Sequence, residues 1–357
     1  MQPAETFNVG VNPSHLAILN NGKRAYVANS NNYSIPGSDT VSVLNLKTQT
    51  TDTTIHDPSF VEPYRIAVDH CDQFVYVCNS GSPTSPDKQG TISIIDTNLN
   101  KVTGLISGFD GPGGIVISSP TLSFPISYAY VTNYGADGGL KSGNGRTVSV
   151  VDLRTRQIVN TIITDQAPAA LALCPCGTYL YVVCYVDGKP GTGTLNKIDL
   201  QTNQVVNRVS GFSGPFWVSL TGDGCKAIVS NFGSNDFAPY GTTVTMVNLE
   251  TMTLIQSIET GIQPAGLAVS DKFVFVSNYN TLYAKANFQN LTPGEGTVSV
   301  ISLKQGKVVD RLGPTGPAIP VGQSPSTITL SPDGKKLYVC KYVQNTVLAI
   351  RIKEKSQ

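Results

Sequence analysis

The stretch PSTITLSPDGKKLYVCKYVQNTVLAI, from Pro325 to Ile350, holds three short apolar runs. Pro325 opens the first. Ser331-Pro-Asp-Gly334 then supplies the residue types of a tight turn, so the run around Tyr338 returns antiparallel to the first. Four residues, Tyr342 to Asn345, lead to a third run at Thr346. This is a meander of three strands with no helical periodicity in it.

Six further copies precede it. The central tetrapeptide recurs as Tyr26-Val-Ala-Asn29, Tyr76-Val-Cys-Asn79, Tyr130-Val-Thr-Asn133, Tyr181-Val-Val-Cys184, Ile228-Val-Ser-Asn231 and Phe275-Val-Ser-Asn278, before Tyr338-Val-Cys-Lys341. The mean spacing is 52 residues. A proline and a short apolar run stand before each, at Pro13, Pro63, Pro112, Pro168, Pro215 and Pro264 as at Pro325. Each is followed, after a loop of variable length, by a run such as TVSVLNL from Thr40 or TVSVVDL from Thr147. These runs alternate with period two, as strands buried between two layers do. A fourth alternating run closes most units, for instance QIVNTII at 157–163 and TLIQSIE at 253–259.

Tandem four-stranded units without helices between them predict an all-β, seven-bladed β-propeller in a single domain, 1–357. The units fall at about 11–55, 61–106, 111–163, 167–210, 214–259, 263–312 and 324–352. The seventh lacks a fourth strand, whereas residues 5–10 are unmatched, and ETFNVGVNP aligns with SIETGIQP at 257–264. Thr6 to Val9 are therefore expected to form the outer strand of the last blade, closing the ring and leaving no open blade edge. A monomer is expected from that closure.

These motifs resemble the YVTN β-propeller repeat family, whose tetrapeptide stands intact at Tyr130 to Asn133. The likeness covers nearly the whole chain and weakens in the fourth unit, at Cys184 and Lys197. It implies a seven-bladed propeller like those of surface-layer proteins. Similar propellers serve as cell-surface modules, binding platforms and carriers of redox or lactone chemistry, so the resemblance leaves function open.

Of the 357 residues, 40% are hydrophobic and 14% charged, below the roughly 25% of an average soluble domain. A formal net charge of +1 argues against capture of nucleic acid or anionic membrane by the overall field. No apolar run is long enough for a membrane span, and MQPAETFNVG carries no signal-peptide pattern. Seven cysteines, several in strand-like runs, favour a reducing, cytoplasmic compartment; export remains open if a leader preceded Met1.

The links after the tetrapeptides are long in six units and short only at 342–345. Long Gly-, Pro- and Asn-rich loops gathered on one face of a rigid ring are where binding resides. An aromatic follows the tetrapeptide in five units, as Tyr134, Tyr185, Phe232, Tyr279 and Tyr342. Pointed into the channel mouth, these rings would stack on a planar or sugar-like ligand; pointed outward, they pack beneath neighbouring loops. Tyr64 and Trp217 stand at inner-strand starts and join them as ligand-binding candidates.

His15, His56, Glu62 and Arg65 lie near the starts of the first two units. His and Glu there suit general acid/base chemistry or a divalent cation, and Arg65 a bidentate carboxylate grip. No metal-ligand spacing occurs, so no metal site or other cofactor is assigned. Cys174-Pro-Cys176 sits at a turn position and is read as structural.

The reading favoured is a non-catalytic binding propeller whose long-loop face takes a small molecule or protein. A lactonase- or lyase-type enzyme is the alternative. Nucleic-acid binding is a second alternative. It would use the short-turn face, which carries fourteen Lys and Arg, Lys335 and Lys336 among them, against seven Asp and Glu.

Overall fold

The computed structural model describes residues 2–30, 39–81, 90–120, 126–135, 145–234, 240–283, 291–309 and 318–352. Seven antiparallel sheets stand around a central axis, each with its strands in the order A-B-C-D from the centre outward. The chain is a seven-bladed β-propeller, and no helix occurs among the described residues. None is therefore long and apolar enough to cross a membrane.

Every inner strand A begins on the proline of its unit: Pro13–Ile18, Pro63–Val68, Pro112–Ile117, Pro168–Leu173, Pro215–Leu220, Pro264–Val269 and Pro325–Leu330. Each touches the inner strands of both neighbours, so the ring closes on itself. Proline suits this first position, because a missing N–H at a strand start breaks no ladder bond.

Seven apolar clusters hold the ring together, each joining adjacent blades; Tyr26 and Val43 of blade 1, for example, pack with Ile66, Val77 and Ile95 of blade 2. The tetrapeptide tyrosine serves these layers. Tyr26 is wholly buried and its hydroxyl donates to Asn100 Oδ1 at 2.7 Å.

The last blade is closed by Gln2–Asn8, antiparallel to Thr346–Arg351 with Thr6 opposite Leu348. This strand starts four residues before the expected Thr6 and ends at Asn8, one short of Val9. Phe7 is 2% exposed and lies beside Tyr338, ring centroids 6.4 Å apart. Lys336 Nζ pairs with Glu5 at 3.2 Å across the same seam.

The tetrapeptide asparagine pins strand B to strand C. Asn29 Nδ2 donates to Thr40 and Ser42, and Asn79, Asn133, Asn231 and Asn278 make the matching pair of bonds in their blades. Blade 4 has exchanged the partners. Cys184 fills the asparagine position, and the amide comes from strand C instead, where Asn196 Nδ2 donates to Asp165 at 2.9 Å and Thr194 at 3.0 Å.

Blade 6 departs from the repeat. Its strand C, Glu295–Ser302, pairs outward with two separate strands, Lys307–Val308 and Ala318–Gln323. A small hairpin, Thr281–Tyr283 with Leu291–Pro293, rises from its B–C link. These additions account for the longest interval in the repeat, 63 residues.

Candidate functional site

The long-loop mouth of the channel is built by a device repeated in all seven blades. The residue before each inner-strand proline is left-handed, with φ of 50–59° at Asn12, Glu62, Gly111, Ala167, Gly214, Gln263 and Ser324. For the five that are not glycine this costs roughly 1–2 kcal/mol each, so the surrounding structure must hold it. The holding bond is visible. The carbonyl of each accepts the amide of the residue just after strand B, at 2.9–3.1 Å, and those residues are Ser30, Ser80, Tyr134, Tyr185, Phe232, Tyr279 and Tyr342.

A β-bulge follows in every blade, between the proline and the residue two or three further on. Bulges re-aim side chains, and seven of the fourteen residues that stand one or two places after a proline line the channel mouth. In blades 3, 4, 6 and 7 these are small: Gly113 and Gly114, Ala169 and Ala170, Ala265 and Gly266, Ser326 and Thr327. In blades 2 and 5 they are Tyr64-Arg65 and Phe216-Trp217. Blades 2 and 5 are three places apart in a ring of seven, so their bulky pairs meet across the channel.

Arg65 makes that crossing. Its guanidinium carbon lies 4.1 Å from the Trp217 ring centroid, 4.8 Å from that of Tyr64 and 5.3 Å from that of Phe216. Nε donates to the Gly113 carbonyl at 3.2 Å. The residue is 4% exposed, and Nη2 is buried with no hydrogen-bond partner among the described residues. Burial pulls the Arg65 pKa down, yet a guanidinium stays charged. A buried cation covered by aromatic faces thus stands in the channel.

His15 reaches the same tryptophan, ring centroids 5.4 Å apart. Its Nδ1 accepts the Ile66 amide at 3.2 Å, which places the proton of the neutral ring on Nε2. Burial, and then the Arg65 charge, lower its pKa to about 3. Part of its surface is open to the channel, yet the lowered pKa keeps it neutral at pH 7 and a poor base there.

Above this plug lies a cavity of about 250 Å³. Tyr64, Arg65, Phe216, Phe232, Tyr279 and Tyr342 form its bulky wall, and Ser14, Ala265, Ser326 and Thr327 leave its space open. Four neighbouring rings run along one side: Phe216 to Phe232 at 5.1 Å, Phe232 to Tyr279 at 6.1 Å and Tyr279 to Tyr342 at 6.3 Å. The hydroxyls of Ser14 and Ser326 are engaged with backbone carbonyls of adjacent blades, so they brace the wall.

The residues singled out from sequence separate here. Phe232, Tyr279, Tyr342, Tyr64 and Arg65 line the cavity, and Trp217 backs it through Arg65. Tyr134 and Tyr185 lie outside the lining. The Tyr134 phenol is pushed up by burial and by the neighbouring Tyr185 and Tyr64, and the Tyr185 hydroxyl donates to the Gly233 carbonyl at 3.3 Å. Glu62 is a rim residue whose carboxylate accepts from Ser30 Oγ and whose amide donates to Asp39. His56 is not at an inner-strand start; it ends the exposed outer strand of blade 1, opposite Thr40. The acid/base set expected from the first two units is therefore not assembled. Among the described residues no three His, Cys, Asp or Glu side chains gather in a metal-holding group.

Sequence reasoning overlooked the small residues. Their signal was present: the position after each proline is small in five blades and aromatic in two, and space is as much a site feature as a side chain. On the short-turn face Cys174 and Cys176 are joined as a disulfide within the A–B turn of blade 4. Lys336, counted there as a cation for nucleic acid, is engaged with Glu5 in the closing seam.

No protein-family model matches the chain, and no curated protein matches it. Solved structures do. Hydrazine synthase of Kuenenia stuttgartiensis is similar at 18% identity and a TM-score of 0.73, covering 99% of both chains. A chain in the mitotic checkpoint complex is similar at 14% identity and a TM-score of 0.70, covering 99% of this chain and 96% of that one. The likeness is one of fold. At such identities neither structure carries an activity or a partner to this chain.

Proposed function

We propose that the protein is a small-molecule-binding propeller of the YVTN repeat type, with its ligand held in the channel-mouth cavity. The observation that carries this is the composition of the mouth: bulky side chains from blades 2 and 5 and small residues such as Ser14, Ala265 and Ser326 leave a defined space between rings. Binding sites have this character, concave and largely apolar with few polar groups. A catalytic reading receives less support, because His15 is held neutral by burial and His56 points away on an outer strand.

Trp217 is the only tryptophan in the chain, so its emission reports on this site alone. Fragments that bind the cavity are expected to change that emission in the parent protein. In Ala265→Trp, whose added indole fills the cavity and brings its own emission, the same fragments should no longer bind when followed by ligand-detected NMR. Ligands that bind Ala265→Trp as tightly as the parent would place the site elsewhere.

A further inference from the structure

We propose that the ligand is a small carboxylate with a planar, apolar body, its carboxylate seated against the Arg65 guanidinium and its body among Phe216, Phe232 and Tyr279. The inference rests on the cavity being the binding site and adds the chemical class of what fills it.

A charge removed from water is costly unless it is paired. Arg65 is nearly wholly buried, and the rings of Trp217, Tyr64 and Phe216 cover it within 5.3 Å. Cation–π contact compensates part of the lost hydration but satisfies no N–H. Nε has the Gly113 carbonyl, whereas Nη2 has nothing. Among the described residues no Asp or Glu lines the cavity to neutralise it. The structure therefore places a guanidinium in the cavity wall with no carboxylate among the described residues to balance its charge.

Charge balance narrows the anion. Among the described residues Arg65 is the only charged one lining the cavity. One guanidinium matches one carboxylate in charge and in planar geometry. A phosphate dianion would leave a negative charge among aromatic faces, with no second cation among the described lining residues to meet it. The body follows from the walls: rings 5.1–6.3 Å apart present edges and tilted faces suited to a flat apolar group. A volume of about 250 Å³ confines the ligand to metabolite size.

Benzoate, benzamide and phenyl phosphate separate the possibilities, titrated into the parent and Arg65→Met with Trp217 emission as readout. Benzoate is expected to bind the parent at least about tenfold more tightly than its neutral isostere benzamide, and more tightly than phenyl phosphate. Arg65→Met should abolish the preference for benzoate while benzamide still binds. If that variant does not fold, Arg65→Lys keeps the charge without the fork and should reduce the ratio. Equal binding of benzoate and benzamide to the parent would overturn the carboxylate assignment and leave the cavity as the site. A preference for phenyl phosphate would overturn it in favour of phosphate. Binding of neither benzoate nor benzamide would overturn the cavity reading and this inference with it.

Discussion

Replacing Phe7 by alanine tests whether seven residues at one end of the chain hold the ring shut. Phe7 is 2% exposed and packs with Leu16, Val27 and Leu44 of blade 1 and with Tyr338 and Val347 of blade 7, so its ring belongs to the layer joining the first blade to the last. Removing a buried phenylalanine side chain costs about 3–5 kcal/mol in transfer energy and residual cavity. Unfolding entropy of about 2.1 cal/mol/K per residue makes one kcal/mol worth little more than about 1 °C for a chain this long, so Phe7→Ala should lower Tm by roughly 4–7 °C. Deleting residues 2–8 should do more. It also removes the strand's ladder with Thr346–Arg351 and the Glu5–Lys336 pair, and it exposes a strand edge that can template association. Calorimetry gives the melt and size-exclusion chromatography the association. A Phe7→Ala melt indistinguishable from the parent, with a monomeric, equally stable deletion, would refute the closure argument.

Other outcomes follow from single contacts. Asn196→Ala should cost about 1–3 kcal/mol in urea unfolding, since it leaves Asp165 and Thr194 without their amide donor; Cys184→Asn combined with Asn196→Ser, which rebuilds the arrangement of the other blades, should recover most of it. His15 has a folded pKa of about 3 against an ordinary value of 6.5, so between those values the unfolded chain binds the extra proton. Its contribution is complete above pH 6.5 and is lost as pH falls towards 3; by pH 5 the loss is on the order of 2 kcal/mol, and His15→Asn should flatten that part of the profile. Tyr134→Ala should destabilise the fold without altering the affinity of a cavity ligand, whereas Tyr279→Ala should weaken both, by melt and by titration. Reducing the Cys174–Cys176 disulfide should scarcely move Tm, because it closes a loop of minimal length, and a large drop would show that it braces the turn.

Blade number, strand order and ring closure were legible in the sequence because each is a matter of period. The prolines, the turn residues and the Tyr-Val-x-Asn motif recur, and a repeated signal survives the noise of any one copy. Even the irregular fourth unit followed the rule once Asn196 is seen to replace the amide missing at Cys184. The site was legible only in part. Arg65, Tyr64, Phe232, Tyr279 and Tyr342 were picked out as chemistry near the mouth, but their meeting depends on bulges that turn adjacent residues the same way, and on blades 2 and 5 facing one another across the ring. Neither is written in local pattern. His56 was misplaced for a related reason: the outer strand of blade 1 runs on to residue 56, so a residue close in sequence to Pro63 ends on the rim of the ring instead of at its centre.

The most direct test of the account is a crystal structure of the protein grown with benzoate at neutral pH. Density for the ring among Phe216, Phe232 and Tyr279, with the carboxylate within hydrogen-bond distance of the Arg65 guanidinium, is the expected result. A cavity holding only water, with benzoate bound at another surface or not at all, would contradict it.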